Sequence, residues 1–289
     1  MSFYTVRQYS DNVFRIIKYQ SVPLRGFSHG VKGSERSNEE KLEESRLRAQ
    51  RTIVEIALCN HWDYFVTLTV SPDHFNRYEL DSIWLKLSQW FRDQRKLVGY
   101  ENLSYMLVPE RHADGAWHFH GFMSGVPDFA LSRFVFGVHP KRLTDGEYLN
   151  WRDLSAKFGY CSLDPVRDQV RSAFYCSKYF TKDRFRNVTK IGSHMYYVSR
   201  GLLRAQTVGY CYESKPLFDN SIDHKSVFCD VGWLLDVDCL SVFSELDDIC
   251  YIALDPSVSK VLVVEPDFEQ MSIDGFPLST FYSPYGGVV

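Results

Sequence analysis

Apolar and polar positions alternate along this chain in two main periods, and the change of period marks out its elements. Between residues 37 and 60, Leu42, Leu47, Ile53, Ile56 and Ala57 recur on one side at helical spacing. Ser37-Asn-Glu-Glu40 precedes them as a capping box, in which a hydroxyl and a carboxylate satisfy each other's backbone donors. Residues 78–97 predict a second amphipathic helix, burying Leu80, Ile83, Trp84, Leu87, Trp90 and Phe91. Residues 168–182 predict another, with Val170, Ala173, Phe174, Ser177 and Phe180 as its apolar side, and shorter helical stretches are expected near 128–136 and 148–158. Tyr64-Phe-Val-Thr-Leu-Thr-Val70 has the β-branched and aromatic content of a strand and stops at Ser71-Pro72. Residues 104–109 and 117–123 predict two strands joined by a short polar loop, and 196–199 a shorter one.

The two ends are patterned differently. Residues 1–36, with Gly26, Gly30 and Gly33, read as an irregular arm. Beyond Gly209 the texture changes to short apolar runs at 227–228, 233–235 and 261–264, which predict a small β-rich module. The expected division is therefore an arm and helix over 1–60, a central domain over 61–209 and a C-terminal module over 210–289.

Charge sharpens that division. Residues 1–209 carry 30 Lys/Arg against 22 Asp/Glu, a balance of +8, whereas residues 210–289 carry 3 against 14, a balance of −11. Such asymmetry points to a nucleic-acid-facing part joined to an acidic one. We expect the acidic module to dock on the basic surface or on a host replication protein, limiting non-specific DNA binding. The remaining composition, 45% hydrophobic and 24% charged, is that of a globular protein. No apolar run approaches the length of a membrane span, and no signal peptide is expected at the N-terminus. The seven cysteines form no C-x-x-C pair, so reduced thiols in a cytosol are expected rather than a disulfide framework. No G-x-x-x-x-G-K-[ST] loop occurs, so an attached nucleotide-hydrolysing helicase is not expected.

Two clusters carry candidate chemistry. His118-Phe-His120 puts two imidazoles on the same face of a strand, because side chains alternate with a period of two. The preceding hairpin loop decides what lies opposite. A two-residue turn at Asp114-Gly115 would set Arg111 across from His118, whereas a three-residue loop with Gly115 left-handed sets Glu110 there. The second loop is a common hairpin form, so Glu110, His118 and His120 are the expected ligands of a divalent ion, with His112 in reserve. Mixed nitrogen and oxygen ligation with open positions suits manganese or magnesium better than a closed structural zinc. On the 168–182 helix, Arg171, Tyr175, Lys178 and Lys182 form a stripe that surrounds one phenol with three cations. Positive charge favours the ionised, nucleophilic form of a phenol, and the same cations would hold a DNA phosphate against it.

Taken in order, Phe65-Val-Thr-Leu-Thr69, His118-Phe-His120 and Tyr175-Cys-Ser-Lys178-Tyr179 resemble the three motifs of the HUH endonuclease superfamily. The resemblance is to the rolling-circle replication initiators of small single-stranded DNA phages and bacterial plasmids. It covers about residues 50–205, including Val198-Ser-Arg-Gly-Leu202. It implies an α+β fold, a central antiparallel sheet with flanking helices of the ferredoxin or RNA-recognition type. It also implies that Tyr175 attacks a phosphodiester, leaving a 5′-phosphotyrosine and a 3′-hydroxyl primer, with Lys178 steadying the charge and Tyr179 as second nucleophile or stacking support. Thr67 and Thr69 would line the DNA path or support the metal site. Origin DNA, single-stranded or hairpin, would be the partner, together with a host helicase and polymerase, in the cytoplasm of a bacterial cell or phage-infected host. The acidic module has no counterpart in that pattern. Two other readings remain at this stage: a relaxase or single-strand transposase of the same superfamily, and a non-catalytic RNA-recognition-like module whose histidines stack on bases.

Overall fold

The computed structural model describes residues 2–19, 37–178, 194–213, 222–225, 229–235 and 249–252. Among them the chain is a mixed α+β protein with two antiparallel sheets, one of six strands and one of seven. No helix among the described residues is long and apolar enough to cross a membrane.

The seven-stranded sheet is built from β3 (Tyr64–Val70), β4 (Ser104–Arg111), β5 (Trp117–Ser124), β6 (Leu131–Arg133), β7 (Leu149–Trp151), β8 (Gly159–Pro165) and β9 (Tyr197–Val198). Its order is β6-β7-β8-β3-β5-β4-β9, which puts β3 and β5 near the centre. Helices cover both faces. Val66, Leu68 and Val70 of β3 join Phe119 and Met123 of β5 in a core closed by α2 (Leu80–Gln94) and α4 (Arg152–Phe158). Trp90, Phe91, Trp151 and Phe158 pack ring against ring there, the kind of aromatic burial that contributes most to a core of this size. The opposite face carries the residues of alternate register, with α1 (Asn38–Cys59) packed on α5 (Gln169–Lys178) and β4. The capping box at Ser37 and Glu40 is present, with both reciprocal hydrogen bonds.

The helix expected over 78–97 occupies Leu80–Gln94. Two expected helical stretches are corrected. Residues 128–136 form one 3-10 turn, Asp128–Ala130, and then β6, while within 148–158 only Arg152–Phe158 is helical, after β7. Both β6 and β7 are three residues long, too short for a period of two to show in sequence. Strand β8 is not among the expected elements; it sits between β7 and β3, buries Cys161 and Leu163 on one face and carries Tyr160, Ser162 and Asp164 on the other. A one-turn helix, α3 (Lys141–Asp145), is a further addition.

The six-stranded sheet overturns the reading of the N-terminus as an irregular arm. Strands β1 (Ser2–Ser10) and β2 (Val13–Tyr19) form a hairpin around Asp11-Asn12, and Tyr4, Val6, Val13, Phe14 and Ile16 are buried. The glycines that prompt the irregular reading lie at 26–33, outside the described residues. The hairpin pairs with β10 (Gln206–Glu213) on one side and β12 (Cys229–Leu235) on the other, and β11 (Ile222–Lys225) and β13 (Ile249–Ile252) complete the sheet. Strand β12 contains the apolar run at 233–235, whereas 227–228 and 261–264 lie outside the described residues. The chain accordingly divides into two compact units, one of residues 1–27 with 206–289 and one of residues 28–205, rather than at 60 and 209.

This pairing changes what a truncation tests. A chain ending at Gly209 loses Tyr210, Cys211, Tyr212 and Glu213, the partners of Thr5, Tyr4, Phe3 and Ser2, and leaves β1 with an unpaired edge. Such a fragment is expected to aggregate on size-exclusion chromatography, whereas one spanning residues 28–205 should elute as a discrete folded species. Equal solubility of the two would contradict this division.

Candidate active site

The candidate site lies on the α1/α5 face of the seven-stranded sheet, on the three strands β4, β5 and β3. The β4–β5 hairpin has the three-residue loop. His112 N–H donates to Ala116 O at 2.9 Å, Gly115 N–H donates to His112 O at 2.9 Å, and Gly115 sits at φ +84°. Only a residue without a β-carbon takes that left-handed conformation cheaply. The register that follows pairs Glu110 with His118 and Arg111 with Trp117. On the other side of β5, Thr67 pairs with His120 and Thr69 with His118. The alternation of the sheet therefore gathers Glu110, His118, His120, Thr67 and Thr69 on one face, and buries Phe119 on the other.

Glu110, His118 and His120 each offer a ligand atom, all within 4.8 Å of one another, and could hold a metal ion. His118 Nε2 and His120 Nε2 approach the same carboxylate oxygen, Glu110 Oε2, at 3.5 and 3.6 Å. These separations are long for hydrogen bonds. Bonds of about 2.1 Å to one ion, at octahedral to tetrahedral angles, set neighbouring ligand atoms roughly 3.0–3.4 Å apart. The two separations from Glu110 are within a few tenths of that, and the donor set of two imidazoles and one carboxylate fits a divalent cation. His120 Nδ1 lies 3.0 Å from Thr67 Oγ1, an outer contact that fixes the ring and puts its proton on Nδ1 when Nε2 faces a metal. His118 is buried, and its Nδ1 has no hydrogen-bond partner among the described residues.

His112 is outside this cluster. Its ring lies 3.9 Å from that of His118, at the hairpin tip, and burial, followed by the neighbouring His118, holds its pKa below the usual histidine value.

Tyr175 reaches the same face from α5. The helix is moored by Gln169, whose Oε1 accepts from Trp62 N–H at 3.1 Å while its Nε2 donates to Trp62 O at 2.6 Å, just before β3 begins. Ala173 and Cys176 form the deeply buried side of α5, and Tyr175 is 50% exposed. The Tyr175 ring packs edge-on against Phe65 at 6.3 Å, and Phe65 in turn stacks on His120 at 6.1 Å. One aromatic ring thus separates the phenol from a candidate metal ligand. The adjacent Cys176 thiol is pushed up to about 12 by burial, which removes it as a competing nucleophile. Because Gln169 fixes α5, Gln169→Ala is expected to lower any Tyr175-dependent activity by about tenfold or more through misplacement, with metal affinity unchanged. A parallel loss of metal affinity would mean the change unfolds the site instead.

The structure also brings in residues the sequence does not single out as functional. Phe65 stands in the sequence only as one residue of a strand motif. The Arg142 guanidinium of α3 has its basicity raised, first by a hydrogen bond with Tyr148 and further by the nearby Tyr175 and Tyr160 phenols. Nothing in the spacing of Arg142 connects it with Tyr175, since the fold alone brings them close. Of the expected cationic stripe, Arg171 is exposed on α5, the Lys178 side chain is outside the described residues, and so are Tyr179 and Lys182 altogether.

The matched interval encloses both clusters. Residues 63–184 match a family model of replication-associated proteins, the ORF2 type. The match runs from β3 through α5, less than half of the chain, and takes in Glu110, His118, His120 and Tyr175. It agrees with the resemblance to replication initiators and makes this segment similar to replication-associated proteins. Comparison with curated proteins and with solved structures finds no match.

Proposed function

We propose that this protein is a replication initiator that nicks single-stranded DNA at an origin, with Tyr175 as the nucleophile and a divalent ion, manganese or magnesium, at Glu110, His118 and His120. The observation that carries this reading is the line Tyr175–Phe65–His120, which sets an exposed phenol beside a three-residue ligand cluster. It is supported by the replication-associated family match over the same residues.

The division of labour follows from the chemistry of phosphoryl transfer, where positioning and charge stabilisation dominate. A bound ion would supply Lewis-acid polarisation of the scissile phosphate. Tyr175 forms the new phosphorus–oxygen bond and loses its phenolic proton to solvent, while the leaving 3′ oxygen takes a proton and departs as a hydroxyl. The products are a 5′-phosphotyrosine and a 3′-hydroxyl primer, and one ester replaces another without consuming water. Arg142, already in the field of the Tyr175 phenol, stabilises its developing negative charge. Thr67 orients His120, and Thr69 lines the strand path next to His118. Arg171, Lys178 and Lys182 hold the DNA backbone, and Tyr179 is a second nucleophile or a stacking support. A host helicase and polymerase would extend the primer.

The test is incubation of the purified chain with labelled single-stranded origin DNA and manganese. A covalent protein–DNA adduct that vanishes with chelator is the expected result. Binding without cleavage would point to the non-catalytic module instead.

A further inference from the structure

Beside the ligand cluster, on the far side of Thr69, lies a cavity of about 480 Å³ lined by Thr69, Arg77, Phe134, His139, Asn150 and Tyr160, among others. Thr69 is the register partner of His118 on one strand and of Tyr160 on the next, so the cavity wall begins one strand from a candidate metal ligand. Its size is that of a small-molecule site.

We propose that this cavity receives one nucleobase of the bound strand, that of the nucleotide adjoining the scissile phosphate, and reads an acceptor-bearing edge on it. The inference deepens the reading of this chain as a single-strand DNA nuclease and rests on it.

Four observations build the site. Phe134 and Tyr160 bring their rings to 6.2 Å in the cavity wall, and Tyr160 is 44% exposed, so an aromatic face is open for stacking. The polar groups are oriented as donors. Ser155 donates its hydroxyl to Asn150 Oδ1, which leaves the Asn150 amide protons for an incoming acceptor. Val135 N–H lies 3.0 Å from His139 Nδ1 and Val135 O 3.3 Å from it, so that ring is held through Nδ1 and its Nε2 is left for a ligand. Arg77 is held by Asp114 Oδ2 at 3.1 Å at the tip of the β4–β5 hairpin, placing a guanidinium between the ligand hairpin and the cavity, where a phosphate joining the two would pass. A donor-rich edge favours cytosine, thymine or guanine, which present carbonyl oxygens, over adenine, which has none and offers only ring-nitrogen acceptors.

The rim adds a second stacking surface. The loop after Phe134 is closed by hydrogen bonds from Val138 N–H and His139 N–H to Val135 O, and it holds Phe136 78% and Val138 75% exposed. A structured turn that displays a phenylalanine beside an aromatic cavity is suited to the next base along the strand.

The experiment measures affinity of the full chain for short labelled strands of deoxycytidine, deoxyadenosine and abasic deoxyribose phosphate. Tyr160→Ala and Phe134→Ala are expected to weaken deoxycytidine binding about tenfold or more, with the abasic strand unaffected. Tyr160→Phe should keep most of the affinity, and Asn150→Ala should narrow the preference for deoxycytidine over deoxyadenosine. Manganese binding by each variant should match the unaltered protein, since none of these residues touches the ligand cluster. Unchanged deoxycytidine affinity in both alanine variants would overturn the proposal, as would an equal loss on the abasic strand, which would make the cavity a phosphate cleft. If the unaltered protein cleaves single strands while those variants bind normally, the base site fails and the nuclease reading stands. If the unaltered protein neither binds nor cleaves single strands, both fail.

Discussion

Alanine at His118 or His120 is expected to abolish metal-dependent cleavage and to cut manganese affinity by at least about 100-fold, since even outer partners of metal ligands are worth 10–100-fold. The two rings and the Glu110 carboxylate converge within 4.8 Å, so removing any one leaves two ligand atoms, too few to hold a hydrated divalent ion against water. Glu110→Ala should follow the histidines. Thr67→Val should be milder, about tenfold, because it removes only the hydroxyl that sets the His120 tautomer. His112→Ala provides the contrast. Its ring stacks on His118 without joining the cluster, so its loss should leave metal binding within a few fold of normal. Circular dichroism checks the fold of each variant, and titration with manganese reads the affinity. A His112 variant more damaged than the Glu110 variant would overturn the ligand assignment.

The register that sets Glu110 opposite His118 is legible in sequence because hairpins obey discrete rules. The choice between Glu110 and Arg111 opposite His118 turns on loop length, and the three-residue loop with Gly115 left-handed is the one the hairpin adopts. The Ser37/Glu40 cap and the strand at Tyr64–Val70 were legible for the same reason: local chemistry determines them. What sequence did not show is non-local. Strand β8 buries Cys161, Ser162 and Leu163 in succession, with no alternation to mark it, and gains its identity from lying beside β3. The β1–β2 hairpin is stabilised by strands about 200 residues further along, β10 and β12, and no window of the N-terminus contains that pairing. Phe134 and Asn150 come from segments whose pattern predicts helix, and Arg142 and Tyr160 from elements the pattern does not predict. Their joint position beside the site is a property of the packed sheet, and no spacing of theirs could have revealed it. Candidate groups on β3, β5 and α5 are marked by motif, whereas those on β7, on β8 and between β6 and β7 need the fold.

The largest single effect is expected at Tyr175. Tyr175→Phe removes one oxygen, keeps the ring that packs against Phe65 and leaves α5 undisturbed, so any loss of activity is chemical rather than structural. The covalent adduct should disappear, a fall of roughly 10³-fold or more if the phenol is the nucleophile, the scale seen when a covalent nucleophile is removed. Metal affinity should not change, because the phenol lies one ring away from the ligands. Arg142→Ala should give a smaller loss, on the order of 10²-fold, because it withdraws a positive charge near the phenol without removing the nucleophile. Phe65→Ala tests the geometry: it leaves both reacting groups in place but removes the ring between them, so cleavage should fall while manganese binding persists. Mass spectrometry of the adduct peptide decides the assignment. Phosphotyrosine at Tyr175 supports it, an adduct confined to Tyr179 would transfer the role to the neighbouring turn, and retention of full adduct yield by Tyr175→Phe would end the mechanism proposed for this site.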